Sequence, residues 1–213
     1  MRRTGQRAVL TAILLLALWL VSGCSRQELE EEEWVPAQSA LQAPKDGPVT
    51  ETLIETLDED YYDSAELEKT VRDAVSEYDS ANGPQAVEVV SFETEGKTVH
   101  LVLNYKDMNA YNDFNQVKFY NGSILGAQME GFLFDREFYH VDAGAVDSDP
   151  LPGEIPVARK QYQVLITDPL HAVEVPGDIV YISTNAKLLG SRIAAPADDA
   201  AADSGYLYVI YEF

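Results

Sequence analysis

The 213-residue chain holds one cysteine, three histidines and only 15 lysines and arginines against 36 aspartates and glutamates. A single cysteine rules out a disulfide within the chain and a Cys-rich zinc site. His100, His140 and His171 lie far apart, and none has a second ligand-type residue at helical metal spacing, so no metal is expected. No serine sits in a G-x-S-x-G turn, no H-E-x-x-H occurs, and no G-x-G-x-x-G follows a strand pattern. The usual sequence support for a hydrolase elbow, a zinc protease or a dinucleotide site is therefore missing, and no catalytic residue or cofactor is assigned. The net charge of −21 argues against nucleic acid as a partner, because phosphate binding needs clustered Lys and Arg.

Long apolar runs are also scarce, with one exception at the N-terminus. Arg2, Arg3 and Arg7 precede a charge-free stretch from Ala8 to Val21, and Ser22 and Gly23 then lead into Cys24. This is the three-part layout of a secretory signal. The stretch is short of the roughly 20 apolar residues that a spanning helix needs, so a transmembrane reading is weak.

The motif Val21-Ser22-Gly23-Cys24 resembles the lipobox of bacterial lipoproteins. That resemblance implies cleavage before Cys24 and a diacylglyceryl group on its sulfur, which would anchor the protein to a cell membrane at its extracytoplasmic face. Two acyl chains at about 0.8 kcal/mol per buried CH₂ hold far better than one. Without residues 1–23 the chain keeps 12 basic and 36 acidic residues, a net of −24, which keeps the domain off an anionic leaflet.

Residues 24–55 read as the lipidated Cys24 followed by an acidic flexible tether. They contain the run Glu30–Glu33 and Pro36, Pro44 and Pro48. A flexible chain of about thirty residues reaches roughly 30 Å. Residues 56–213 then read as one globular domain.

Asp63 with Glu66 forms a capping box, and Leu67, Val71, Ala74, Val75 and Tyr78 recur at helical spacing until Asn82-Gly83-Pro84 stops the helix. "AVEVVSFETEGKTVHLVLNY" reads as a hairpin turning at Glu95-Gly96. Asp107 starts a short helix to Asn115, "QVKFY" reads as a strand, and Ser123 caps another short helix. Residues 142–156 read as a loop rich in Gly, Pro and Asp. The last third is strand-rich, and "YLYVIYEF" is apolar on both faces, as in a strand inside a sheet. The predicted fold class is α+β: a mostly antiparallel sheet with one main helix and two short helices.

Phrases such as "NYKDMNAYNDFN" and "VPGDIVYIST" are similar to uncharacterised lipoproteins of Gram-positive, clostridia-type bacteria. This likeness covers most of residues 55–213 and implies no particular activity.

The candidate ligand site is "NAYNDFNQVKFYNG". There Tyr111, Phe114, Phe119 and Tyr120 alternate with amides that include Asn112 and Asn115. Flat rings beside amides suit sugar rings or peptide side chains, provided at least two rings stand exposed side by side. The same residues fit core packing with their polar neighbours outward. The acidic clusters at 58–63, 147–154 and 198–205 invite calcium but lack the ligand pattern of an EF-hand. The reading is a lipid-anchored extracytoplasmic binding or envelope-assembly module, with a glycan, a peptide or an envelope protein as partner. The alternative is a cell-envelope hydrolase.

Overall fold

A computed structural model describes residues 34–44, 47–59, 62–159, 161–198, 200 and 205–213. Pro36–Phe213 forms one compact unit. Cys24 and the expected signal segment lie outside the described residues.

In chain order the elements are β1 (Ala40–Gln42), β2 (Val49–Thr56), α1 (Ser64–Asn82), β3 (Val87–Glu95), β4 (Thr98–Tyr105), α2 (Met108–Asn115), β5 (Tyr120–Ser123) and α3 (Ile124–Met129). They continue with β6 (Glu137–Asp142), β7 (Ala145–Val146), β8 (Leu151–Pro152), α4 (Glu154–Val157), β9 (Gln163–Thr167) and β10 (Ala172–Glu174). The last four are β11 (Asp178–Ser183), β12 (Ala186–Leu188), β13 (Ile193–Pro196) and β14 (Leu207–Glu212). One sheet runs β12-β13-β10-β1-β2-β4-β3 and the other β5-β9-β14-β11-β6-β7, with β8 beside β6. Only β1 with β10 is parallel; every other described pairing is antiparallel.

The sheets pack face to face. Leu41, Leu101, Leu103 and Val173 of the first meet Leu165, Ile182, Leu207 and Val209 of the second in one core. β4 shows the pattern of a sheet with one wet face, since Val99, Leu101, Leu103 and Tyr105 are buried while the residues between them are half-buried. The second sheet is covered on its other face too, where Ile124 and Ala127 of α3 and the ring of Phe132 pack on Val164, Ile166, Tyr208 and Ile210.

Local signals set the boundaries. The Asp63 carboxylate accepts from the N–H groups of Ala65 and Glu66, and Gly83 ends α1 with φ +99°. The hairpin of β3 and β4 turns at Gly96, where φ is +62° and a side chain would be strained.

The structure corrects three expectations. The flexible tether does not extend to residue 55: β2 pairs with β4 along its whole length, and β1 joins β2 to β10. Pro44 and Pro48 flank these strands, while Val49–Thr56 is free of Pro and Gly and rich in β-branched residues. The described residues contain three short helices beside the main one, because α4 forms within and just past the expected loop, which also holds β7 and β8. "QVKFY" becomes strand only at Tyr120, since the Asn112 amide takes both the N–H and the C=O of Phe119.

Candidate functional site

Two polar assemblies stand out, one inside the core and one on the surface. Inside, Glu51 of β2 points to the buried face beside Val49. The Tyr105 hydroxyl at the end of β4 donates to Glu51 Oε2 at 2.6 Å, and the Tyr111 hydroxyl from α2 donates to the same carboxylate. His171, just before β10, places Nε2 3.5 Å from Glu51 Oε1. Burial dominates the electrostatics. It raises Glu51 above the ordinary carboxylate range despite both hydroxyls, lowers His171 below 6.5, and pushes Tyr105 and Tyr111 far above an ordinary phenol. The carboxylate would by itself raise His171, but desolvation outweighs it. Both members of the contact are therefore driven toward their neutral forms.

On the surface, three adjoining cavities of about 260, 190 and 250 Å³ form consecutive sections of one furrow. Met108, Asn109 and Phe119 are shared by the first two, and Lys118, Glu130 and Phe132 by the second and third. Along it the buried ring of Phe132 lies 5.9 Å from the half-buried Tyr120 and 5.3 Å from the half-buried Tyr206, so the three rings pack as one row. At its far end Arg136 lies over the Tyr208 ring at 4.7 Å and donates from Nη1 to the Tyr206 carbonyl. Arg136 Nε is the buried side-chain polar atom left without a partner among the described residues. Leu133, 65% exposed, leaves a large apolar side chain in water at the far section of the furrow.

The candidate aromatic residues divide between core and furrow. Tyr111 and Phe119 are buried, at 3% and 2% exposure, and stack edge-to-face with each other and, through Tyr111, with Tyr105. Phe114 is half-buried against Tyr78 and Tyr105. Tyr120 is also half-buried, and its hydroxyl donates to the Ser123 carbonyl. Asn112 spends its amide on Phe119, and Asn115 donates to the Tyr111 carbonyl. A platform of side-by-side exposed rings within this segment is thus not what forms: Tyr111, Phe114 and Asn115 serve packing. Asn112, Phe119 and Tyr120 do reach the wall of the middle cavity.

Sequence reasoning missed Glu51, which lay in the expected tether, and Phe132, Arg136 and Tyr206, which are distant in sequence. Only the alternation of "VTETLIET" hinted that Glu51 lies on an inner face. Of the acidic clusters, Asp63 caps a helix, Asp147 sits 3.1 Å from His140 Nδ1, and Asp198 pairs with Lys187. No group of three or more potential metal ligands occurs among the described residues, nor is any described helix long and apolar enough to cross a membrane.

No protein-family model matches the chain, and no curated protein and no solved structure matches it.

Proposed function

We propose that this protein is lipid-anchored through Cys24 at the extracytoplasmic face of a cell membrane, and that its ordered domain binds a glycan or peptide of the envelope along the furrow. The observation that carries the reading is Val21-Ser22-Gly23-Cys24 directly after a charge-free run led by three arginines. The furrow supports binding because it joins aromatic side chains, the amide of Asn109, and charges of both signs. The acid-base contact that a hydrolase could use, Glu51 with His171, lines none of the cavities described above.

Labelled palmitate fed to a bacterial host expressing the full-length chain tests the anchor. Label is expected in the membrane-bound wild type and absent from Cys24→Ala. An unlabelled wild type released into the medium overturns it. For binding, the thermal midpoint is measured across wall glycans and peptides. A ligand at 100 times its dissociation constant stabilises by about 2.7 kcal/mol. The shift is expected to vanish in Tyr206→Ala, and a shift that survives there places the ligand elsewhere.

A further inference from the structure

Among the described residues β3 is the terminal strand of its sheet, with β4 on one side and no described strand on the other. Beside that free edge runs α1, and between them opens a notch of about 620 Å³, larger than any section of the furrow. Its helix wall carries Val75, Ser76 and Asp79, and its strand wall Val87, Glu88 and Val89. The backbone there points into it. Ala86 turns its carbonyl to Lys106 next to β4, whereas the Val87 N–H turns the other way, to Asp79 Oδ1 at 3.0 Å. Antiparallel alternation then directs the N–H and C=O of Val89 outward as well, just before the register shifts between Val89 and Ser91.

The walls are apolar in part and acidic at the rim. α1 buries no residue, and Val90 at the bulge is 51% exposed. The helix's own cations are paired within it: Lys69 with Asp73, and Arg72, which also lines the notch, with Glu68. Glu88 lines the notch, and Glu93 and Glu95 are exposed farther along the same strand.

We propose that the β3 edge and α1 together form a strand-addition site for an extended, basic peptide segment of a partner protein, distinct from the furrow. The outward main-chain groups of Val89 supply the attraction, Val75, Val89 and Val90 receive alternate apolar side chains, and the glutamates select the charge. A second copy of this chain fits poorly, because pairing two β3 edges would set Glu88, Glu93 and Glu95 against like charges. The chain's own Glu30–Glu33 run fits poorly for the same reason.

The probe is a fluorescein-labelled heptapeptide of alternating valine and lysine, titrated by anisotropy against the full-length protein in detergent. A valine-glutamate peptide and a copy of the probe with a central proline serve as controls. Saturable binding of the first alone is expected, weakening as salt rises. Ser76→Trp, which fills the notch from an exposed position, and Glu88→Lys are each expected to weaken it at least tenfold. On binding, amide exchange at Val89 is expected to slow. Absence of saturable binding overturns the proposal, leaving the bulge and the glutamates as protection of a bare edge. So does binding untouched by Ser76→Trp, or binding that leaves Val89 exchange unchanged, which marks association through charge alone.

Discussion

α1 is 19 residues long and buries none of them, whereas β14 is six residues long and buries five. Both carry strong apolar patterns, so the pattern does not explain the difference; their neighbours do. β14 lies between β9 and β11 in a sheet packed on both faces, and its side chains meet other side chains in either direction. α1 lies over the end of a sheet, where Val71, Val75 and Tyr78 are only partly covered and Tyr78 reaches α2 through Phe114 and Asp113. An amphipathic period selects the conformation, while the surface opposite decides how much water leaves.

From that contrast the largest loss belongs to β14. Ile210→Ala, at 0% exposure, is expected to lower unfolding free energy by about 2–5 kcal/mol. Urea denaturation checks it, and a loss under 1 kcal/mol would break the comparison at its strong end.

Next comes the polar network between these extremes. Tyr105→Phe leaves the buried Glu51 carboxylate short of a donor and is expected to cost about 1–3 kcal/mol in the same measurement.

The network also sets a pH dependence. Glu51 is raised from 4.5 by burial, so the folded state holds its proton more tightly than the unfolded chain. The stability this contributes is complete below pH 4.5 and is lost as pH rises through the raised value. His171, lowered from 6.5, works the other way: its contribution is complete above about pH 6.5 and is lost as pH falls through the lowered value. Glu51→Gln should abolish the first decline and keep the second, as read from the thermal midpoint against pH. A profile with the wild-type shape would assign the slope to another group.

The smallest effect belongs to α1. Asp63→Ala removes the acceptor for two N–H groups and is expected to cost about 1 kcal/mol, read as loss of helical circular dichroism at lower urea. A loss as large as that of Ile210→Ala would mean that α1 is more firmly held than its exposure indicates.

Chemistry that acts within a few residues was legible in advance. Asp63, Asp107 and Ser123 cap the three helices they were expected to cap, and the hairpin turns at Gly96. The misread places are those where a side chain answers to something far along the chain. Glu51 contradicts the rule that glutamate faces water, because two hydroxyls from β4 and α2 meet it inside. Asn112 resembled a ligand group, yet it holds the backbone of Phe119 in place of a strand partner. The furrow depends on Phe132 and Arg136 meeting Tyr206 across about seventy residues, a distance that no local pattern encodes.

By itself, the sequence determined the helix caps, the turn glycines, the alternation of β4, the charge that disfavours nucleic acid, and the motif at Cys24. These follow from covalent geometry and nearest-neighbour hydrogen bonding, which act wherever the residues stand. Tertiary structure alone decided that β1 and β2 belong to the first sheet, that Glu51 and His171 meet in the core, and that β3 is left as an edge beside a half-covered helix. Burial and pairing are properties of two segments brought together, and only the closed fold sets which segments those are.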